Sequence, residues 1–208
     1  MISLAQICTW ATTLRTVFID NREYLTELDS AIGDADHGIN MARGFTAVAT
    51  ALEDDVPGDI GAALKIISMT LIKNVGGASG PLYGTFFLKA SLPCMGRDAI
   101  GVDDLVLLVR EGVKGIRQRG KAVPGDKTMV DAWEPALAAM TDARSRGGDI
   151  EAVLIAAARA AAEGRDATIP MLARKGRASY LGERSRGHQD PGATSTALIL
   201  ATARDTLV

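Results

Sequence analysis

Apolar residues recur at helical spacing along almost the whole chain. Leu4, Ile7, Cys8, Ala11, Leu14, Val17 and Phe18 fall at i, i+3, i+4 and i+7, and Leu25 and Leu28 prolong the stripe. The spacing predicts a first helix from about Leu4 to a polar loop at 29–40. A second is expected from about Asn40, with Met41, Phe45, Val48 and Leu52 on one face. A third follows Pro57-Gly58-Asp59, where Asp59 can cap it, and carries Leu64, Ile67, Leu71 and Val75. A fourth follows Ser79-Gly80-Pro81, with the proline in the first turn, where its missing N–H costs nothing. Asp103 and Asp104 open a fifth that Gly120 stops, and a sixth runs from near Asp126-Lys127-Thr128 to Arg146-Gly147-Gly148. An alanine-rich seventh starts at Asp149 or Ile150, with a continuation through a kink at Pro170, and the last covers about Gly192 to Thr206. No run alternates apolar and polar residues with β-branched enrichment, so strands are not expected. The fold class read from this pattern is all-α: one domain over residues 1–208, an up-down bundle of about eight antiparallel helices.

The segments between helices divide into two sorts. Those at 54–59, 93–102 and 147–149 read as ordinary turns. Those at 29–40, 76–81, 120–128 and 176–192 are rich in glycine and unusual polar residues. In an up-down bundle alternate loops lie at the same end. The four unusual loops follow helices one, three, five and seven, so all are expected to gather at one end.

The chain has 208 residues, enough for one sizeable core. Its 23 Lys and Arg against 25 Asp and Glu leave a net charge of −2, which gives no electrostatic case for nucleic acid or an anionic membrane. Cys8 and Cys94 stand far apart, fit no metal spacing and read as reduced core residues. Early charges at Arg15, Asp20, Arg22 and Glu23 interrupt the N-terminal apolar positions, and no stretch is apolar enough to span a bilayer. A soluble, cytoplasmic protein is expected.

The chemistry concentrates at Asp29-Ser30-Ala31-Ile32-Gly33-Asp34-Ala35-Asp36-His37-Gly38-Ile39-Asn40. Three carboxylates crowded there raise one another's cost of ionisation unless a cation relieves it. An all-oxygen set suits Mg2+ or Ca2+, and Mg2+ commonly shares its shell with phosphates. Asp29, Asp34 and Asp36 are therefore candidate metal ligands, with capping of the next helix by Asp34 or Asp36 as the competing reading. An EF-hand starting at Asp34 fails, because Phe45 stands where its glutamate belongs. His37 reads as either a phosphate contact or a hydrogen-bonded structural residue. Asn40 can coordinate a metal or donate to a phosphate oxygen.

Gly76-Gly77-Ala78-Ser79-Gly80-Pro81 precedes a helix N-terminus, where small residues let backbone N–H groups approach an anion. A tight turn capped by Ser79 is the plainer alternative. Two near matches to the Walker A phosphate loop fail. Ile39-Asn40 replace Lys-Ser/Thr after Gly33 to Gly38, and Asp126 puts Lys127-Thr128 out of register after Gly120 to Gly125. The stretch 174–192 carries Arg174, Lys175, Arg177, Arg184 and Arg186, any of which can neutralise phosphate. A solvated loop is the favoured reading for all of these but Arg177, and His188 reads as structural. Tyr180 and Leu181 either pack the loop down or line a pocket. Trp10 and Trp133 read as core or interface residues, not ligand platforms.

Four blocks carry a resemblance: LDSAIGDADHGINMARGF, VGGASGPLYGTFF, RGKAVPGDKTMVDAW and ARKGRASYLGERSRGHQDPGATS. Together they resemble the ADP-binding L subunits of the bacterial dihydroxyacetone kinases over nearly the whole chain. The resemblance implies a barrel-like bundle of eight antiparallel helices with a nucleotide, ADP or ATP, at one end. It implies that Asp29, Asp34 and Asp36 hold two Mg2+ ions bridging the phosphates. It places His37, Gly38, Ile39, Asn40, Ala78, Ser79, Gly120, Met129, Arg177, Asp190, Pro191 and Gly192 at nucleotide-contacting positions, Gly77 in the phosphate cradle, and Arg177 as the catalytic residue.

The implied reaction is phosphoryl transfer by position and charge. A phosphohistidine carrier protein of the phosphotransferase system recharges bound ADP, and the ATP phosphorylates dihydroxyacetone held on a separate K subunit. Some relatives exchange free ATP or use another short ketose, and some bind a transcription regulator according to nucleotide state.

Overall fold

The computed structural model describes Met1 to Val208. Nine α-helices follow in order: α1 (Leu4–Asp20), α2 (Arg22–Ile32), α3 (His37–Asp54), α4 (Ile60–Asn74), α5 (Ser79–Ser91), α6 (Val102–Gly120), α7 (Val130–Ser145), α8 (Ile150–Ala167) and α9 (Pro191–Thr206). Each of α3 to α8 packs on the next, and α9 returns to α1, which packs on α3. Eight antiparallel helices thus close a ring, with α2 laid against α3 and α9. Short 3₁₀ turns occupy Leu92–Cys94 and Arg177–Ser185.

Local chemistry sets the boundaries. Ser3 and Gln6 form a capping box at α1, with Gln6 N–H donating to Ser3 Oγ over 3.3 Å. Asp59 caps α4 as expected, accepting from Ala62 N–H at 2.7 Å, and Asp149 caps α8 through Ala152 N–H at 2.9 Å. Aromatic pairs fill the ring: Phe86 stacks on Trp133 with centroids 4.2 Å apart, and Phe18 on Phe45 at 4.7 Å. Trp10, as expected, is buried with them and donates to Ile199 O.

Five expectations need correction. The first helix is broken at Asn21, whose side-chain amide donates to Val17 O at 2.8 Å and competes with the helical ladder. The second helix opens at His37, not Asn40, because Asp29 accepts the N–H groups that would otherwise be orphaned there. The sixth helix starts at Val130, because Asp131 takes the N–H groups of Gly125 and Thr128 at 2.5 and 2.7 Å and holds 125–128 out of the helix. The seventh ends at Ala167 without continuing through Pro170, which disfavours helical geometry at Ile169. Two-residue strands do exist, β1 (Ile2–Ser3) and β2 (Ala99–Ile100), pairing antiparallel with Ile2 opposite Ile100. They are too short to show alternation. No helix is long and apolar enough to cross a membrane.

Candidate functional site

The four unusual loops meet in one cleft of about 390 Å³, within the range of small-molecule sites. Its lining comes from the end of α2 and the following loop, from 76–82, from the α6–α7 connection, and from 175–192.

Asp29 sits in the last turn of α2 and is 8% exposed. Its Oδ2 accepts from the N–H groups of Asp36 at 2.9 Å and His37 at 3.1 Å, so one carboxylate shapes the loop and starts α3. Gly33 has to be small, since a Cβ there would lie 2.0 Å from Asp29 Oδ1. Asp34 and Asp36 complete a triad in which one oxygen of each lies within 4.8 Å of the others. The capping alternative finds no support, because Asp36 occupies the cap position of α3 without a side-chain capping bond. Asp34 instead pairs with Arg177, Nη2 to Oδ2 at 3.0 Å. The donor set is all oxygen and clustered beside an open cleft, which fits a hard divalent cation.

Opposite the triad lies the start of α5. Gly77 has φ +62, with nothing within 4 Å of where a Cβ would stand, leaving the turn open toward the cleft. Ser79 makes no capping bond and turns to His37 instead, Oγ to Nδ1 at 3.2 Å. His37 is itself buried, and its Nε2 lies 3.0 Å from Ser195 Oγ. Tyr83 continues the chain, its hydroxyl 2.7 Å from Ser195 Oγ and 3.0 Å from Thr196 Oγ1. Burial pushes the His37 imidazole below its ordinary range, only partly offset by Asp29 and Asp36. A neutral ring between two hydroxyls anchors the cradle without adding charge.

The third side is the start of α9. Asp190 caps it through Ala193 N–H at 2.7 Å, and Pro191 and Gly192 line the cleft. Burial pushes the Asp190 carboxyl up to about 7, against the lowering effect of the Ala193 N–H. Gly120 and Met129 join the lining, with Ile32, Leu82, Ile116 and Ala122 as an apolar wall.

Of the expected contacts, Asp29, Asp34, Asp36, His37, Gly77, Ala78, Ser79, Gly120, Met129, Arg177, Asp190, Pro191 and Gly192 line the cleft. Gly38, Ile39 and Asn40 stand behind it. Gly38 packs on α2, where a Cβ would meet Arg22 O at 2.0 Å, and Asn40 backs Gly76 and accepts from Arg43 Nη2 at 2.7 Å. Ile39 is half exposed.

Sequence reasoning missed Arg119, Lys127 and Thr128, which also line the cleft, as does Lys175 of the basic stretch. Arg174, Arg184 and Arg186 lie outside the lining and are exposed. Tyr180 is 87% exposed and packs nothing, whereas Leu181 packs against Ile32, Ala173 and Ala178.

A nearly neutral helical ring with an oxygen-only triad facing a glycine-rich helix start has the make-up suited to a hard cation and an anion. The DAK2 domain signature matches residues 31–205, and the chain belongs to that family. It is 47% identical over 199 residues to the ADP-binding subunit DhaL of the PEP-dependent dihydroxyacetone kinase of Escherichia coli (strain K12), covering 96% of this chain and 95% of that one. It is 42% identical over 203 residues to the ADP-binding subunit DhaL of the PTS-dependent dihydroxyacetone kinase of Lactococcus lactis subsp. lactis (strain IL1403), covering 97% of each. The dihydroxyacetone kinase from C. freundii in complex with AMP-PNP and Mg2+ superposes with a TM-score of 0.74 at 25% identity, over 99% of this chain but 34% of that longer one.

Proposed function

We propose that this chain is the nucleotide-binding subunit of a phosphotransferase-dependent dihydroxyacetone kinase. ADP held in the cleft is recharged by a phosphohistidine carrier, and the resulting ATP passes its γ-phosphoryl group to dihydroxyacetone on a separate K subunit. The observation that carries this reading is the union of the acidic triad and the open Gly77 turn in one cleft of about 390 Å³ with an apolar wall. The 47% identity to the E. coli ADP-binding subunit over 95% of that subunit's length supports the choice of a phosphotransferase-dependent kinase.

In this reading Asp29, Asp34 and Asp36 hold two Mg2+ ions. When bound, magnesium neutralises charge on the phosphate oxygens as it redistributes in the transition state. The chain's own residues do the positioning. Asp29 orders its loop through two N–H groups, which fixes Asp36 and the first turn of α3 before any ligand arrives. Gly77, Ala78 and Ser79 approach the phosphates from the α5 end, and Ser79 is steadied by His37. Arg177 is exposed and paired with Asp34 at the cleft, from where its guanidinium can reach the transferring phosphoryl group. Ile32, Leu82 and Ile116 offer the base an apolar face.

The chain's two histidines are the buried His37 and the exposed His188. By the resemblance, the histidine that holds the ketose belongs to the K subunit, so this chain works only in partnership. The intact triad favours catalysis over a purely regulatory role toward a transcription factor.

Reconstitution tests the reading. The chain, a K subunit, the phosphohistidine carrier with its phosphoenolpyruvate-driven supply, and dihydroxyacetone are expected to yield dihydroxyacetone phosphate at catalytic ADP. Turnover that needs stoichiometric free ATP and ignores the carrier would replace it with an ATP-exchanging kinase.

A further inference from the structure

Lys127 pays for its place twice. It is 1% exposed, so its ammonium is buried, and its φ of +62 lies in the left-handed region that non-glycine residues rarely adopt. It makes no direct salt bridge, although Asp190 and Asp131 are near enough to act on its charge. Its Nζ instead donates to three backbone carbonyls: Thr168 at 2.7 Å, Ile169 at 3.4 Å, and His188. The first two lie just beyond the C-terminus of α8, where a cation is favoured by the helix dipole, and each also accepts one backbone N–H, from Met171 at 3.1 Å and from Gly187 at 2.8 Å. The third lies two residues before the Asp190 cap of α9.

The same point is the base of the long α8–α9 connection. Gly187 N–H donates to Ile169 O at 2.8 Å, Arg186 Nη1 to Pro170 O at 2.5 Å, and Asp190 N–H to Thr168 Oγ1 at 3.0 Å. Between those ties the connection swings out to place Lys175 and Arg177 on the cleft, then returns as Asp190, Pro191 and Gly192. Away from its base it is held by one backbone bond, Arg174 N–H to Asp126 O at 3.0 Å, by the exposed Arg177–Asp34 ion pair, and by the small Ile32, Ala173 and Ala178 cluster. Both chain directions therefore cross at the one ammonium. Lys127 itself borders the cleft, and the next residues of its loop, Thr128 and Met129, continue the lining.

We infer that Lys127 is a positioning residue: its ammonium ties the two ends of the 168–190 connection together and so holds Arg177, Lys175 and the start of α9 at the cleft. The inference rests on the nucleotide reading for what is positioned, and on geometry alone for the tie.

The test compares Lys127→Met with Leu108→Ala. Leu108 is a buried core residue on α6, eight residues before Ile116, the first cleft residue on that helix, and so about 12 Å along the helix from the cleft. Trypsin reads the tie, because Arg174, Lys175, Arg177, Arg184 and Arg186 all lie in the connection. Calorimetry with Mg-ADP reads the site. Loss of three charge-assisted bonds is expected to speed cleavage within 174–186 and to weaken Mg-ADP by about tenfold or more in Lys127→Met. Leu108→Ala, at equal or greater loss of melting temperature, is expected to keep both near wild type. Equal behaviour of the two variants, or wild-type cleavage in Lys127→Met, would overturn the inference.

Lys127→Gly, free of the backbone strain, covers the case in which Lys127→Met does not fold. n-Butylamine returns an ammonium to its vacated space and is expected to slow cleavage, and no slowing would again overturn the tie. If wild type binds no Mg-ADP, the nucleotide reading and the site half of the inference fall together, while the cleavage pattern still decides the tie.

Discussion

Replacing Asp36 with Asn is expected to move stability in opposite directions with and without ligand. One oxygen from each of Asp29, Asp34 and Asp36 lies within 4.8 Å of the others. At an effective dielectric near 20, a like-charged pair at that separation repels by about 3.5 kcal/mol. Asp34 is offset by Arg177 at 3.0 Å, and Asp29 shares its charge with two N–H groups. Asp34 and Asp36 also face solvent, so about 1 kcal/mol of net repulsion is expected to survive screening.

The Asp36 side chain makes no capping bond, and its backbone N–H keeps its bond to Asp29 whatever the side chain. The amide therefore removes repulsion and little else. In EDTA the variant is expected to melt about 2–4 °C above wild type. With Mg-ADP at about 100 times its Kd, wild type gains about 2.7 kcal/mol by mass action, and the variant, short of one ligand, gains much less. The two melting curves should exchange order. Scanning calorimetry of both proteins in EDTA and then in saturating Mg-ADP measures this. A variant that is less stable in EDTA, or that keeps the wild-type shift with Mg-ADP, would refute the assignment of Asp36 to a metal site.

Gly33→Ala would put a methyl group 2.0 Å from Asp29 Oδ1, so it is expected to displace that carboxylate and weaken Mg2+ binding, with helical content by circular dichroism unchanged. Arg177→Ala removes an exposed ion pair, and so should alter the melting temperature by under about 1 kcal/mol equivalent while sharply slowing phosphoryl transfer in the reconstituted system. Unchanged transfer would exclude Arg177 from the reaction. The Asp190 carboxyl, raised from 3.8 to about 7, binds its proton more tightly folded than unfolded. Nucleotide-free wild type is therefore expected to lose stability as pH rises from about 4 to about 7, by up to about 4 kcal/mol, and to level off above that. Asp190→Asn keeps an N-cap and should abolish that slope in thermal melts across the range.

The helices were legible because their apolar stripes are local and because caps such as Asp59 declare themselves at short range. Where boundaries were misplaced, a side chain had intervened: Asn21 on Val17 O, Asp131 on Gly125 and Thr128, Asp29 on Asp36 and His37. The triad was legible because three of its carboxylates fall within eight positions of the chain. The convergence of four loops followed from alternation in the bundle. Other parts depend on contacts far apart in sequence. His37 meets Ser195 over 158 residues, and Tyr83 meets the same serine over 112. Lys127 read as part of a failed Walker A match, because its burial is created by carbonyls 41 and 61 residues away. Lys175 reads as one solvated cation among five, and only the path of the connection separates it from Arg174.

The most direct test of the central claim is the nucleotide content of the purified chain. The protein is desalted exhaustively with Mg2+ present, denatured, and the released nucleotide quantified. Retention of one ADP per chain is expected if the cleft holds it as a resident cofactor. An empty chain that binds neither Mg-ADP nor Mg-ATP would contradict the account.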